Sequence, residues 1–507
     1  MSSRKQTPPS FPWTEGEKYS SNNNNNNSKF KEIFYYFFTL NTIPYVLVRC
    51  CALLFLFLSA SWLLLLLFCF PPTTTTTSSN DVVREQAQVA EPQSPFKIPT
   101  CDKNMSVYVY TLPPQFNLGL LSQCNNLSIK ANMCPAVANS GLGQPLNYSR
   151  IGHSAVTSSW YITHQYTAEI IFHARLQNHP CRVQDPARAS LFYVPFYGGF
   201  DALNKYREAN LTVRDELTFS LVDYIQAQPW WQRNHGKDHF MALGTVVWDF
   251  MRTVNNASAS SSSSSSKVRT PGTLLNLPAA ENMSVLIIER HPWQPNQHGI
   301  PYPSYFHPST WREMVAWQRM MRLMERPHLF SFVGARRKNK AAIRNEFIRQ
   351  CGESTRCKLL NCEGPDGARK CLQPREILRV MTRSQFCLQA PGDTPTRRST
   401  FDSVLAGCVP VFFSRHTAYS QYAWYLPGDA SRYSVYIDEK SNASRRIEEE
   451  LLKISSEKVK MMREEIIDLM PSLTYAHPNA TDFGFGDAVD VALASLAKHI
   501  DELINSN

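Results

Sequence analysis

The sequence predicts an α/β protein made of two consecutive α/β units behind one N-terminal transmembrane helix. Three observations support this: an uncharged apolar run at residues 50–70, and two later series, at 105–289 and 328–437, in which short apolar runs alternate with helical stretches. The chain has 507 residues, which at about 100 to 200 residues per domain accommodates two folded units with tails. The predicted boundaries are a cytosolic tail, a membrane anchor, a stem and two α/β domains, at 1–49, 50–70, 71–100, 101–310 and 311–507.

The apolar run at residues 50–70 predicts a membrane-spanning helix, because about 20 apolar residues cross a bilayer. A cleaved signal peptide would lie nearer the start of the chain, with a shorter apolar core. Lys and Arg occur several times before the run, whereas residues 71–83 contain neither. By the positive-inside rule the N-terminus is cytosolic and everything after the span is lumenal or extracellular. The net charge of +10 is not gathered into long basic runs, so no nucleic-acid partner is expected.

Cysteines and glycosylation sequons agree with this orientation. Ten of the 13 Cys follow the span, an even number that suits disulfides in an oxidising compartment, although their pairing cannot be read from the sequence. The group Cys351, Cys357, Cys362 and Cys371 could bind zinc, but it contains no CxxC pair, and disulfides are favoured. Eight Asn-x-Ser/Thr sequons follow the span, at Asn104, Asn126, Asn147, Asn210, Asn256, Asn282, Asn442 and Asn479.

The first α/β series predicts strands within residues 105–112, 190–196, 239–250 and 282–289. Helices are expected near 161–177 and 214–227. The Pro- and aromatic-rich segment 300–307 marks the domain junction, and a helix is expected after it at 311–325. The second series predicts strands at 328–334, 383–390, 409–413 and 432–437, with helices near 340–350 and 397–405. Ligands of such units gather at the carboxyl ends of the strands, in the cleft between the domains.

Residues 386–413 contain the most informative unit, a strand, a loop with Gly392, a helix that begins near Arg397, and a second strand. The start of this helix offers free backbone N–H groups, and Arg397 and Arg398 add positive charge where a phosphate could bind. Asp402, one turn into the helix, could accept hydrogen bonds from ribose or sugar hydroxyls. The alternative is that the Arg pair is a solvated surface and Asp402 its ion-pair partner.

A second basic turn strengthens the case for a nucleotide site. Gly334, Arg336 and Arg337 directly follow the strand at 328–334, at the same predicted edge of the sheet. The chain lacks GxxxxGK[ST] and GxGxxG, so neither an ATPase loop nor a dinucleotide fingerprint is predicted. It also contains no Asp-x-Asp, GxSxG or HExxH, which disfavours a paired-carboxylate metal site, an esterase and a zinc protease.

Several motifs in one order resemble the plant exostosin-like glycosyltransferases, and among them the xyloglucan galactosyltransferases. They are WYITHQYTAEIIFHARLQNHPCR, LFYVPFYGGFD, TVRDEL, KDHF, VWDF, PYPSYFHP, FSFVGARR and SQFCLQAPGDTPTRRSTFDSVLAGCVPVFF. The resemblance runs from about residue 105 to the C-terminus.

This resemblance implies a GT-B-like fold, in which two Rossmann-like domains face a cleft, in a single-pass type II Golgi membrane protein. It further implies inverting transfer of galactose from UDP-galactose to xylosyl side chains of xyloglucan in the cell wall, with no cofactor and no essential metal. By analogy, the nucleotide-sugar site comprises Gly334, Arg336, Arg337, Gly392, Arg397, Arg398 and Asp402 of the C-terminal domain. The N-terminal domain would bind the glucan, and complexes with other Golgi glycosyltransferases are expected.

Inverting transfer needs a base for the acceptor hydroxyl, which we expect in the first domain. Candidates at predicted strand ends are Asp201, Asp249 and Glu289. Glu169 and His173, four residues apart on a helix, are further options, and Trp160, Tyr161, Trp293, Tyr302 and Tyr305 could stack on sugar rings. Two other functions stay open: transfer of galacturonic acid or onto another wall polysaccharide, and an inactive glycan-binding scaffold.

Overall fold

The computed structural model describes residues 101, 105–129, 131–146, 159–253, 269–338, 343–391, 394–480 and 486–505. They belong to one compact unit, Ala90–Asn507. The predicted tail, membrane span and stem lie outside these residues. Within the described ranges, none of the helices has both the length and the apolar character that crossing a bilayer requires.

Two parallel sheets form the framework. The first contains β1 to β6, in the spatial order β2-β1-β3-β4-β5-β6. Their bounds are Val107–Val109, Arg182–Val183, Leu191–Tyr193, His239–Val246, Ser284–Glu289 and Gln297–Gly299. The second contains β7 to β11, in the order β11-β10-β9-β7-β8. Their bounds are His328–Gly334, Cys357–Asn361, Ser384–Gln389, Val409–Phe412 and Val435–Tyr436. The recorded pairings within both sheets are parallel, as the alternation predicted.

Helices surround both sheets. In chain order α1 to α7 are Leu118–Leu121, Cys134–Val137, Ala168–Gln177, Gly198–Asn204, Leu211–Gln226, Pro229–Asn234 and Pro278–Asn282. The helices α8 to α12 are Trp311–Leu323, Ile343–Glu353, Gly364–Cys371, Pro374–Met381 and Arg398–Leu405. The helices α13 to α16 are Ala418–Gln421, Ile447–Leu452, Ser456–Asp468 and Ala488–Asn505.

Among the described residues, the long apolar runs became the central strands. All six residues of β5 are buried, and so are seven of the eight in β4, because helices cover both faces of a parallel sheet. The helix predicted from Tyr161 starts later, at Ala168. Trp160 and Tyr161 instead form isolated bridges with Phe306 and Pro145, which keeps this segment extended.

The junction helix α8 packs on the second sheet's helices. Its Trp317 side chain donates a 2.8 Å hydrogen bond to the Leu405 carbonyl at the end of α12. The residue after the α12 C-cap is Gly407, with φ +60, as its predicted place at the helix end requires. A Cβ atom there would lie 2.8 Å from the Arg326 guanidinium. The domain boundary at residue 310 stays a prediction.

The C-terminal helix α16 returns to the first half of the chain and packs on α3. Arg175 of α3 pairs with Asp487 at 2.7 Å, and His179 pairs with Asp490 at 2.8 Å. These four side chains are almost completely buried. We call this group the α3–α16 clasp. It ties the last helix of the chain to the first sheet's layer.

The ten cysteines after the predicted span form five disulfides, and the preference for disulfides over zinc in the cluster is confirmed. The pairs are Cys101–Cys181, Cys124–Cys134, Cys351–Cys357, Cys362–Cys371 and Cys387–Cys408. Two of them flank β8, the edge strand of the second sheet, and so hold both of its ends.

Candidate active site

A cavity of about 300 Å³ lies where loops from both halves of the chain meet. Val246, the last residue of β4, and Asp249, just after it, line the cavity from the first half. Thr394, Arg397 and Arg398 line it from the second. A second space of about 520 Å³ adjoins it and shares several of its lining residues. Both therefore belong to one cleft at the carboxyl ends of the central strands.

Arg397 is the cation of this cleft whose charge is least neutralised by the protein. It is the N-cap residue of α12, with extended backbone angles. Its Nε and Nη2 atoms are buried, and they have no hydrogen-bond partner among the residues that the structure describes. A buried, unpaired guanidinium is costly unless a ligand satisfies it. Its position at a helix N-terminus adds the dipole and free N–H groups that favour an anion.

Arg398 differs from its neighbour because the protein already holds it. Its Nη1 donates to the Thr163 carbonyl at 2.5 Å, and its guanidinium lies 3.7 Å from the Tyr305 ring centroid. Its Nε lies 3.5 Å from Asp402, although Nε and Nη2 make no proper hydrogen bond among the described residues. Arg398 thus bridges the second sheet's helix to a loop of the first half.

Asp402 is buried beneath this arginine. It accepts a 2.6 Å hydrogen bond from Ser304, and its side chain is 4% exposed. Burial raises the pKa of its carboxyl, and the positive charge of Arg398 acts in the opposite direction. Asp402 thus has partners within the protein, as in the ion-pair alternative that the sequence left open.

Glu289 connects the two halves at the end of β5. Its Oε2 accepts hydrogen bonds from the Thr396 hydroxyl at 2.5 Å and the Thr396 amide at 3.1 Å, in the loop before α12. Its other oxygen is buried without a partner in the described part of the chain. Burial raises the pKa of this carboxyl, and the nearby Arg397 is among the groups that lower it.

The other two candidate bases have different surroundings. Asp249 lines the cavity, and its side chain receives a 2.5 Å hydrogen bond from Arg269, which lines the same cavity. Asp201 lies in α4, paired with Lys205 at 3.1 Å and with Arg214 at 3.5 Å, and it is not among the cavity's lining residues. Burial raises the pKa of Asp201.

The basic turn after β7 lies at the same sheet edge as the α12 loop, because β7 and β9 are parallel neighbours. Gly334 has no room for a side chain, since a Cβ would lie 2.6 Å from the Phe332 ring. Arg336 is largely exposed, with its Nε 3.6 Å from Glu363. The Arg337 amide donates to Asn345 at 2.9 Å. None of these three lines the cavity, and Gly392 lies outside the described residues.

The extent of the match to a family model decides the family. Residues 101–451 match the Exostosin GT47 domain. This chain belongs to the exostosin GT47 family of glycosyltransferases. A probable xyloglucan galactosyltransferase of Arabidopsis thaliana is 56% identical to it over 402 residues, 79% of this chain and 84% of that protein.

Other relatives of this GT47 chain are more distant. A xyloglucan galactosyltransferase of Arabidopsis thaliana is 42% identical over 78% of this chain, which spans 62% of that protein. A xyloglucan-specific galacturonosyltransferase of the same plant is 38% identical over 80% of this chain and 59% of its own length. The crystal structure of Anabaena Alr3699/HepE in complex with UDP has a TM-score of 0.28 and 10% identity, covering 63% of this chain and 79% of that one. A structural similarity this weak supports no assignment of residues to a site.

His164 is a cleft residue of this GT47 glycosyltransferase that sequence reasoning missed. It lines both spaces of the cleft, and burial together with the Arg398 charge lowers its pKa to about 4. The Tyr166 amide donates to its Nδ1 at 3.3 Å, so the neutral ring carries its proton on Nε2. His164 is therefore a hydrogen-bond donor at neutral pH. Only its place in the motif WYITHQY, within the helix predicted at 161–177, could have drawn attention to it.

Glu169 and His173 of α3 make hydrogen bonds within the first half of the chain. Glu169 accepts backbone hydrogen bonds from Gly199, Phe200 and Gly244, and burial raises its pKa to about 8. His173 contacts the Tyr197 hydroxyl at 2.9 Å. Neither lines the cleft spaces described above. Across the described residues, no three His, Cys, Asp or Glu side chains converge as metal ligands would.

The sequons that the structure describes are all at the surface. Asn126, Asn210, Asn282, Asn442 and Asn479 are exposed. Asn104, Asn147 and Asn256 lie outside the described residues.

Proposed function

We propose that this enzyme transfers galactose from UDP-galactose, with inversion, to xylosyl side chains of xyloglucan. The observation that carries the proposal is Arg397, a cleft cation with two buried nitrogens that no described group satisfies, at the N-terminus of α12. A departing UDP diphosphate is the anion that such a position would stabilise. The names of the relatives supply the donor and acceptor, and the two parallel sheets facing one cleft support a GT-B architecture.

The transfer is a single displacement. A xylosyl hydroxyl oxygen attacks C1 of galactose, the bond from C1 to the diphosphate oxygen breaks, and UDP leaves with the electron pair. We assign the hydroxyl proton to Asp249, because of the three candidate carboxylates Asp249 lines the cavity that contains Arg397. Arg269, which contacts Asp249, would hold the carboxylate in place. Arg397 and the α12 amides would neutralise the diphosphate, so no metal is needed in this scheme.

The donor side of the proposal gives the two arginines separate roles. Arg397 is free to bind the diphosphate. Arg398 shapes the site by linking Thr163, Tyr305 and Asp402. The turn with Gly334, Arg336 and Arg337 follows the neighbouring strand β7, and we assign it to the nucleotide side of the site.

The cellular place of the enzyme is also a proposal. We place it in the Golgi membrane as a single-pass type II protein anchored by residues 50–70. Five disulfides and five exposed sequons in the described part support a lumenal catalytic unit, because both features belong to the secretory pathway.

The test uses the full chain, made in a secretory host and extracted in detergent. It is incubated with UDP-galactose, UDP-galacturonic acid and UDP-glucose in turn, each with xylosylated glucan oligosaccharides and a chelator. The molecular masses of the products are then measured. A hexose gain with UDP-galactose alone supports the proposal. A uronic-acid gain would overturn the donor, and glucan binding without transfer would indicate a scaffold.

A further inference from the structure

Two exposed tryptophans lie beside the cleft. Trp293 is 79% exposed and Trp248 is 41% exposed. The other aromatic side chains that the sequence suggested for sugar stacking, Trp160, Tyr161, Tyr302 and Tyr305, are buried. A large aromatic surface left in water is unfavourable unless it serves an interaction.

These two indoles form one surface together with His291. The His291 ring lies between them, with ring centroids 5.5 Å from Trp248 and 5.3 Å from Trp293. Both indoles stand steeply to the imidazole, at 70° and 63°. We call these three residues the aromatic platform.

The backbone under Trp293 is firmly held. Arg290 donates to the Ser420 carbonyl through two nitrogens, at 3.1 and 2.9 Å, and its amide donates to Gln421 at 2.7 Å. The His291 amide donates to the Gln297 side chain at 2.9 Å. Trp293 is thus exposed on an ordered loop, so that binding to it costs little conformational entropy.

The platform and the cavity lie at the same edge of the first sheet. Trp248 stands between Val246 and Asp249, which both line the cavity. His291 follows Glu289, whose carboxylate holds the loop before α12. Because β4 and β5 are parallel neighbours, both segments leave the sheet at the same edge. A long ligand whose reacting group enters the cavity would pass over the platform.

The chemistry of the platform selects a neutral, ring-shaped ligand. It contains no carboxylate and no lysine, and the guanidinium of Arg290, the residue before His291, already binds backbone carbonyls. Flat indole faces match the C–H faces of pyranose rings. We propose that the aromatic platform binds the β-glucan backbone of the acceptor polysaccharide, an inference that rests on the proposed function.

The experiment uses the full chain with Trp293→Ala and Trp248→Ala. We expect each substitution to raise the KM for a xylosylated cello-oligosaccharide by about tenfold, while kcat and the affinity for UDP stay unchanged. Trp293→Phe, which keeps a flat ring, should recover most of the loss. Phe219→Ala is the matched control, because Phe219 is an aromatic of similar exposure on α5 that lines neither space of the cleft.

Direct binding of the same oligosaccharide, measured without donor, separates this inference from the proposed function. Platform-dependent binding without galactosyl transfer would uphold the platform and overturn the function. Transfer with an unchanged acceptor KM in both Trp variants would overturn the platform and uphold the function. A wild-type chain that neither binds nor modifies the glucan would overturn both.

Discussion

Arg397 and Arg398 are adjacent in the sequence, but their surroundings predict opposite effects of substitution. Arg398→Ala removes the partner of buried Asp402, together with the Thr163 hydrogen bond and the Tyr305 contact. Breaking a buried ion pair from one side costs about 3–5 kcal/mol. With an unfolding entropy of about 2.1 cal/mol/K per residue, a unit of the size of residues 101–507 should lose roughly 5 °C in Tm.

Arg397→Ala should leave the Tm almost unchanged, because its buried nitrogens bind nothing in the described part of the protein. The substitution should instead lower the turnover of the enzyme. A guanidinium about 4 Å from a unit of diphosphate charge contributes about 4 kcal/mol at an effective dielectric constant of about 20. Losing it should lower kcat/KM by roughly a thousandfold. Arg397→Lys keeps the charge but not the forked geometry of the guanidinium. Its kcat/KM should therefore lie between those of the wild type and Arg397→Ala.

Thermal melts followed by circular dichroism and a coupled assay of UDP release measure both quantities on the same preparations. Asp402→Asn in the Arg398→Ala background is the matched control, since a neutral amide can still bind Ser304 and needs no cation. That double variant should regain part of the lost Tm. An Arg397→Ala variant that melts as early as Arg398→Ala, or that turns over normally, would contradict these separate roles.

Three further outcomes are expected. Asp249→Asn should lower kcat by about 100- to 10,000-fold with UDP affinity intact, whereas Asp201→Asn should reduce the Tm and leave kcat near normal, as steady-state kinetics and melts can show. Stability should fall as the pH drops from 6.5 to about 4, because burial lowers the pKa of His173 and His307 to about 4 and the unfolded chain therefore takes up protons first. Each histidine contributes at most about 3 kcal/mol, and urea midpoints across this range measure the loss. Endoglycosidase treatment of the detergent-extracted chain should remove glycan mass at the exposed sequons.

Each of these has a contrary result. Asp201→Asn with lost turnover and a normal Tm would move the base away from Asp249. A urea midpoint that stays flat from pH 6.5 to 4, or that is equally steep in His173→Gln, would mean that the buried histidines do not set the acid sensitivity. A chain without endoglycosidase-sensitive mass would contradict a lumenal location.

The central strands could be predicted because their signal is local. The runs that became β4, β5, β7 and β9 are long, apolar and bounded by turn residues. The strands β2, β6 and β8 were not predicted, because sequences such as QHG or CKLLN have no long apolar run. Their strand form depends on pairing with a neighbouring strand. Short edge segments of this kind are defined by tertiary contacts.

The candidate site, too, could be predicted from the sequence only in part. A basic pair at a helix start pointed to an anion site, but spacing alone could not reveal that only one arginine is committed to Thr163 and Tyr305. The sequence left a sugar contact or an ion pair open for Asp402, but it could not show the hydrogen bond from Ser304, which lies 98 residues away in the chain. Trp293 could be suggested as a sugar-stacking residue from the sequence, but Trp248 could not. The exposure of Trp248 and its approach to the loop of Trp293 depend on the folded sheet.

The α3–α16 clasp has a consequence for how the enzyme is made. Arg175 is buried, and its acidic partners are supplied by residues 487 and 490, near the end of the chain. While the ribosome still holds the last residues, Arg175 lacks these two carboxylates and α3 lacks the helix that packs on it. Completion of the first half therefore waits for the synthesis of α16. A nonsense mutation that removes only α16 should yield a retained, degraded protein rather than a shortened enzyme.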